Sequence, residues 1–319
     1  MVINFLDGVG NERSLKALTG LARPEFDKLC EEFTSCLKKN PPQHPKKQKK
    51  SKKRHQRNPG GGRKSALGSP ENQLFFILFY LKSYPIFDVL AFTFKISLAC
   101  AAESVHRLMP VLTRAQKNLQ VLPKRPSDDP EEIIQLIEKN DKIIIDATER
   151  PHFRPQNKDE QENHYSGKKH QHTVKNTIVT DTEKRILILG KTVPGSQHDY
   201  SLFKEEFDPE KELFKSTILF VDLGYQGIKK DYHSPEKIRI PHKKPRKSKN
   251  NPDPSLTQKQ RLENRKMSRV RVIVENAIGG IKIFHILKNR FRNKKNNFSD
   301  DVILAASGLW NLKNSFTVQ

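Results

Sequence analysis

The segments KIIID at 142–146 and STILFVD at 216–222 decide the fold that the sequence predicts. Each is a short apolar run that predicts a buried strand, and each ends in an aspartate, Asp146 or Asp222. In open α/β sheets, groups at the carboxyl ends of neighbouring strands converge in one crevice, so these two aspartates could share a divalent cation. Each aspartate could instead simply cap a turn or the next helix.

The residues around these two strands predict a mixed α/β domain over 130–319. The further segments that predict strands are 172–180, 185–192 and 237–241, and those that predict helices are 198–206, 261–288 and 299–315. A strand, an antiparallel hairpin, a helix and a fourth strand form the order of an RNase H-like domain, in which the first and fourth strands are neighbours. We therefore expect an α/β fold with a mixed five-stranded sheet and flanking helices, in which Asp146 lies beside Asp222.

A third carboxylate, Glu275, lies in the segment SRVRVIVENAIGGIKIF at 268–284. This segment predicts a helix with Glu275 in the middle of an apolar stretch, where a charge is costly unless it is paired or bound to a metal. Arg271 lies four residues before it and Lys282 seven after it, so the three share one helical face. That face is either a surface ion-pair ladder or a metal ligand flanked by cations that grip DNA phosphates.

The net charge points to a polyanionic partner. The chain carries a formal charge of +23, and its pI is near 9.9. The run at 45–64 contains ten Lys or Arg residues, and without it the chain still has 23 − 10 = +13. Because the excess is spread along the chain, nucleic acid is the favoured partner, and ribosomes, acidic proteins or lipid surfaces are the alternatives.

The first 66 residues predict helices followed by a linker. Apolar residues recur at helical spacing over 13–38, inside an N-terminal helical region at 1–40. The basic, Gly-rich stretch 41–66 offers nothing that a core could use, so it predicts a linker or an arm that lies on phosphates.

Region 67–120 predicts an all-α, DNA-binding helix-turn-helix region. A helix over 71–82 is followed by one from Ile86 to Phe94, a short break at 95–97 and a third helix from Leu98, which Pro110 should end or kink. A plain three-helix bundle is the alternative. The third helix has few polar residues to contact bases, and His106 and Arg107 are the basic ones. Residues 121–132 predict a second linker.

The cysteines and the apolar runs exclude several other classes. Cys30, Cys36 and Cys100 match neither a disulfide framework nor a zinc spacing, which predicts free thiols in a reducing compartment. The apolar run at 74–81 is far shorter than the roughly 18 residues of a membrane helix, and no signal peptide is predicted.

Several motifs together resemble one family. In chain order they are IDATER, YSGKKHQHTVK, VPGSQHDYSLF, FVDLGYQG, IPHKKPRK and SRVRVIVENAIGGIK. They resemble the DDE insertion-sequence transposases of the RNase H-like superfamily, in particular the bacterial group related to Harbinger-type transposases. The front segments LTGLARPEFDKL and GGGRKSALGSPENQLFFILFYLKSYP resemble that group's N-terminal helix-turn-helix region.

The resemblance implies a metal-dependent endonuclease and strand transferase that acts on the inverted repeats of its own element. Asp146, Asp222 and Glu275 match the family's three metal-binding acids, which implies Mg²⁺ or Mn²⁺, with two ions bound. It also implies double-stranded DNA as partner, a homodimer on that DNA, and a cytoplasmic, nucleoid-associated location in a bacterium. In the related signature Tyr-x2-Arg-x3-Glu-x6-Lys, Ser268 stands where the tyrosine would be, and Asn276 follows the glutamate where histidine is common.

Two further questions stay open at this stage. Asp199 is the alternative to Asp222 as the second metal-binding acid, although we favour Asp222. Asp199 and His198 are also candidates to form hydrogen bonds that orient the metal-binding residues. The second concerns activity, because a catalytically silent DNA-binding derivative or a stand-alone nuclease of the same fold remains an alternative. The candidate DNA-binding residues are Arg63, Lys64, His106, Arg107, Lys168, Lys169, His172, Lys243, Lys244, Arg246, Arg271 and Lys282.

Overall fold

The backbone divides into two units in the computed structural model, which describes residues 9–39, 65–211, 213–249 and 251–317. The helical unit comprises residues up to Leu122 together with Phe284–Ile286. The sheet unit comprises Pro123–Ile283 and the chain from Leu287 onward. Most of the predicted linker 41–66 lies outside the described residues.

Among the described residues, five helices build the helical unit before residue 123. They are α1 (Glu12–Thr19), α2 (Arg23–Lys39), α3 (Pro70–Ser83), α4 (Phe87–Phe94) and α5 (Leu98–Asn118). The long helix α5 packs against α2, α3 and α4, and the core contains the fully buried Phe33, Phe76 and Leu108. This unit therefore has an apolar core of its own.

Helices α4 and α5 form the predicted helix-turn-helix. Lys95 ends α4 in the left-handed conformation (φ 51°), and the Ser97 side chain accepts a hydrogen bond from the Cys100 backbone N–H at 3.2 Å to begin α5. The two helix axes differ by 96°, within the range of helix-turn-helix motifs. Among the described residues no single helix is long and apolar enough to span a membrane, and α4 with α5 meets that criterion only as this bent pair.

Pro110 was predicted to end or kink α5, and the first of these two outcomes is wrong. The helix continues through Pro110 to Asn118. A proline removes one backbone hydrogen bond, but Leu112 and Ala115 beyond it are fully buried. Their packing explains why the helix continues.

The sheet unit alternates strands and helices. Its elements are α6 (Pro130–Glu138), β1 (Lys142–Pro151), α7 (Lys158–His164), β2 (Tyr165–Ser166), β3 (Gln171–Thr180), β4 (Ile186–Leu189), β5 (Val193–Pro194), α8 (Asp199–Glu206), β6 (Ile218–Phe220), α9 (Ile228–Asp231), β7 (Ile238–Arg239), α10 (Gln258–Ile281) and α12 (Phe298–Thr317), and a short helix α11 (His285–Lys288) precedes α12. The predicted linker 121–132 thus runs into α6 at Pro130.

The sheet confirms the predicted mixed topology. Its order is β2-β3-β1-β6-β7, and β4 and β5 also pair with β3. β1 pairs antiparallel with β3 and parallel with β6, so the first and fourth predicted strands are neighbours. The five predicted strands are present, and the two-residue β2 and β5 raise the number to seven.

Both faces of the central strand are covered. Ile143, Ile144 and Ile145 have no exposed surface. Ile143 and Ile145 belong to an apolar cluster with Phe203 of α8, and α10 contacts β1, β3 and β6. Burial on both sides explains why this strand is a continuous apolar run.

Candidate carboxylate site

The strand register aligns Asp146 with Asp222. The parallel pairing of β1 and β6 runs from Lys142 opposite Ile218 to Ile144 opposite Phe220. Each aspartate lies two residues beyond the last pair, so the two occupy equivalent positions. The expectation that the first strand ends at Asp146 is wrong, because β1 continues to Pro151 in its antiparallel pairing with β3.

Asp146 is a half-buried carboxylate that lies near several other charged groups. Its Oδ1 atom accepts a hydrogen bond from the Ala147 backbone N–H at 2.8 Å. Burial raises the pKa of Asp146 to about 6; the negative charges of Asp222 and Asp199 act in the same direction, and Arg271 opposes them. Like charges gathered around a half-buried carboxylate are an arrangement that a bound cation relieves.

Arg271 joins the other two acids. Its Nη1 atom lies 3.0 Å from Asp222 Oδ1, and its Nη2 atom lies 3.4 Å from Glu275 Oε1. The Arg271 side chain is only 17% exposed, whereas those of Asp222 and Glu275 are 42% and 53% exposed. The ion pair predicted on this helix face is therefore present between Arg271 and Glu275, and Arg271 also pairs with Asp222.

The expectation that Glu275 is buried is wrong. On α10 the buried residues are Val274, Ala277 and Ile281, spaced as a helix requires to pack one face. Glu275 follows Val274 and lies beside this face, and Val272 is 43% exposed. The apolar stretch around Glu275 therefore did not show which of its residues are buried.

Asp199 has a lysine partner that the sequence analysis missed. Lys175 Nζ lies 2.7 Å from Asp199 Oδ1 and donates to the Gln197 backbone carbonyl at 2.7 Å. Lys175 is 8% exposed on β3, and the signal was a single lysine within the predicted strand HTVKNTIVT. His198 caps α8, since its Nδ1 accepts from the Tyr200 N–H at 3.3 Å.

The donor set suits a hard cation, although the ligands are not gathered around one point. Carboxylate oxygens are the groups that Mg²⁺ and Mn²⁺ prefer. Among the described residues, no group of three or more His, Cys, Asp or Glu side chains lies close enough together to hold a metal ion. The guanidinium of Arg271 lies between Asp222 and Glu275, so these two ligands would close on a metal only after Arg271 moves.

Lys282 and Lys169 are the lysines to consider near Asp146. Lys282 caps the end of α10 and donates to the Glu149 carbonyl at 3.4 Å. Burial lowers the pKa of Lys282, as does the charge of Lys169, whereas Asp146 raises it. Lys282 therefore contributes positive charge near Asp146, and Lys169 contributes positive charge near Lys282.

The remaining candidates for DNA contact are more dispersed. In the sheet unit, Lys168 is exposed in the β2–β3 turn and His172 packs edge-on against Tyr165 at 5.7 Å. Lys243, Lys244 and Arg246 are exposed in the loop before α10, as are Lys247 and Lys249.

The candidates of the helical unit lie partly in its interior. Arg107 donates to Gln73 Oε1 at 3.3 Å, and burial lowers its pKa. His106 is half-buried on α5. Arg63 and Lys64 lie outside the described residues.

Comparison with known families agrees with this geometry. The family profile described as "DDE superfamily endonuclease" matches residues 145–311, more than half of the chain. This chain belongs to the DDE superfamily endonucleases. The profile described as "Helix-turn-helix of DDE superfamily endonuclease" matches residues 65–115, which contain α3, α4 and most of α5. The family resemblance inferred from the motifs is confirmed.

A curated relative extends the similarity over most of this DDE endonuclease. It is named "Probable transposase for insertion sequence element IS702", from Microchaete diplosiphon. The two chains are 28% identical over 289 residues, which cover 90% of this chain and 89% of the relative. No solved structure matches significantly.

Proposed function

We propose that this chain is a transposase that cleaves DNA and transfers the cut strands at the inverted repeats of its own insertion sequence. The observation that carries the proposal is the alignment of Asp146 with Asp222 on neighbouring strands, with Arg271 joining Asp222 to Glu275 of α10. The name of the similar protein and its nearly complete overlap with this chain support the same reaction.

The acids would act as metal ligands. Asp146, Asp222 and Glu275 would hold two Mg²⁺ or Mn²⁺ ions, and Asp199 is the alternative second acid. When bound, such ions supply activation of the attacking water or 3′-hydroxyl and stabilisation of the leaving oxygen in a phosphodiester displacement. The strand register that aligns Asp222 with Asp146 supports Asp222 in this role, whereas Asp199 is paired with Lys175 of β3 at 2.7 Å.

The cations would hold the DNA. Lys169 and Lys282 lie where a phosphate beside the acids would be neutralised, and Arg271 would exchange its carboxylate partners for phosphate when those carboxylates bind metal. Lys168, His172, Lys243, Lys244 and Arg246 would contact the backbone farther along the duplex. The helix-turn-helix would bind the repeats, and a homodimer would bring two ends together.

A catalytically silent DNA-binding protein is the second candidate. It is favoured by one observation: Glu275 is exposed and paired with Arg271, and the three acids do not surround one point in the described chain. Such a protein would keep the basic surface and the helix-turn-helix without cleaving.

Replacing Glu275 by glutamine separates the two candidates. Glu275→Gln should bind a duplex carrying the element's end as tightly as wild type but lose Mg²⁺-dependent nicking by more than about 100-fold, because even loss of a supporting group costs about 10- to 100-fold. Nicking is followed on an end-labelled duplex with and without Mg²⁺.

Glu263→Gln is the matched control, because Glu263 lies on the same helix and pairs with His242. This variant should nick at the wild-type rate. If Glu275→Gln nicks at the wild-type rate, or if the wild type does not nick its own repeats, the assignment as a metal-dependent transposase is contradicted.

A further inference from the structure

Tyr225 lies beside the carboxylate site, three residues after Asp222. It ends a short 3₁₀ turn, and its backbone N–H donates to the Asp222 carbonyl at 3.1 Å. The side chain is 1% exposed. Its ring packs edge-on against Phe203, with centroids 5.6 Å apart, and against Tyr200 at 6.5 Å. The packing against α8 therefore fixes the ring.

Tyr200, Tyr225 and Tyr232 belong to the same aromatic cluster, but the hydrogen-bond partners of their hydroxyl groups differ. The Tyr200 hydroxyl donates to Asp231 Oδ2 at 2.6 Å, and the Tyr232 hydroxyl donates to the Phe207 carbonyl. Within the part of the chain that the structure describes, the buried Tyr225 hydroxyl has no hydrogen-bond partner. An unpaired buried hydroxyl destabilises a fold, a cost that phenylalanine in the same place would avoid.

The surroundings of the Tyr225 hydroxyl are acidic. Burial raises the pKa of Tyr225 well above its usual range, and the charges of Asp146, Asp199, Glu206 and Asp222 add to this effect, with Asp146 first among them. The hydroxyl is therefore a hydrogen-bond donor near four carboxylates, of which Asp146 acts on it most strongly. Asp146 uses Oδ1 to accept from Ala147, which leaves its second oxygen for another donor.

We propose that Tyr225 is a positioning residue for the carboxylate site. Its hydroxyl donates to the second oxygen of Asp146 when this carboxylate turns to bind a divalent ion, and the bond fixes the orientation of the ligand. The tyrosine is then retained for the metal-bound arrangement and not for the stability of the metal-free fold. This inference rests on the metal-dependent function proposed above.

The test compares Tyr225→Phe with Tyr232→Phe in the full-length protein. For Tyr225→Phe we expect a urea midpoint without metal that equals or exceeds that of wild type, since no hydrogen bond is lost. Its Mn²⁺ affinity, measured by calorimetry, should fall about tenfold or more. Tyr232→Phe should do the reverse, with a lower midpoint and an unchanged Mn²⁺ affinity, because its hydroxyl bonds to a backbone carbonyl of the core.

A kinetic comparison adds a second readout. In Mg²⁺-dependent nicking at saturating DNA, Tyr225→Phe should lower kcat about tenfold or more and leave the KM for DNA unchanged. A lower urea midpoint for Tyr225→Phe with wild-type Mn²⁺ affinity would show a purely structural residue and overturn the inference. If instead the wild type binds no Mn²⁺, the proposed metal function fails, and the role of Tyr225 fails with it.

Discussion

Glu206, at the end of α8, is a half-buried carboxylate, and it makes folding stability depend on pH. Its Oε1 atom accepts from the Lys191 N–H at 3.0 Å, and a Cβ atom on Gly190 would lie 2.1 Å from the same oxygen. Burial raises the pKa of Glu206 from 4.5 to about 7. Between these two pH values Glu206 binds more protons in the folded chain than in the unfolded chain. The contribution of Glu206 to stability is therefore greatest below about pH 4.5 and is lost as the pH rises to about 7.

Glu206→Gln should remove this loss of stability. At pH 8 we expect the variant to be more stable than wild type by on the order of 1–3 kcal/mol, and near pH 4.5 to be about equal to it. Urea unfolding at both pH values measures the difference. Glu205→Gln is the matched control, because Glu205 is exposed. An equal pH dependence in Glu206→Gln and wild type would show that Glu206 is not buried as a carboxylate.

The positions of single site residues were predictable where the residues follow a strand that the sequence pattern predicts. An aspartate after an apolar strand is visible in the sequence, and Asp146 and Asp222 are aligned as expected. The partners Arg271 and Lys175 depend on side chains that meet across elements far apart in the chain. Sequence spacing along one helix suggested the Arg271–Glu275 pair but could not reveal the contact with Asp222.

At the scale of the element, helix α10 carries Glu275 and is held by close packing on α12. A Cβ atom on Gly280 would lie 2.1 Å from the Trp310 ring, whereas one on Gly279 would meet nothing within 4 Å. The Trp310 indole is itself held, since its Nε1–H donates to the Lys184 carbonyl at 2.8 Å. Gly280 therefore permits the approach of the two helices.

Adjacent glycine-to-alanine substitutions test this packing. Gly280→Ala should destabilise the fold by about 1–3 kcal/mol through overpacking against Trp310. Gly279→Ala should be neutral or stabilising by up to about 1 kcal/mol, because alanine favours the helix and space is open. Urea unfolding of the two variants gives the comparison. Equal stabilities would contradict the close approach of α10 and α12 at Gly280.

The sequence pattern predicted the presence of helices and strands more reliably than it predicted where they end. Apolar periodicity located the five main strands and the helix-turn-helix, because each buries side chains at its characteristic spacing. The helix does not end at Pro110, because packing of the following turns outweighs one lost hydrogen bond. The pattern failed at Glu275, because the neighbouring apolar residues are not all covered.

For the whole molecule, the charge of +23 should dominate DNA affinity. The logarithm of the binding constant should fall linearly with that of the salt concentration, by about 0.9 for each phosphate contact. Lys243→Ala with Lys244→Ala should lower this slope by up to about 1.8 and weaken binding to repeat and unrelated duplexes alike. Lys139→Ala with Lys142→Ala removes the same charge at the end of α6 and the start of β1, and should change the slope less. Equal slopes for the two double variants would show that the loop before α10 does not contact phosphates.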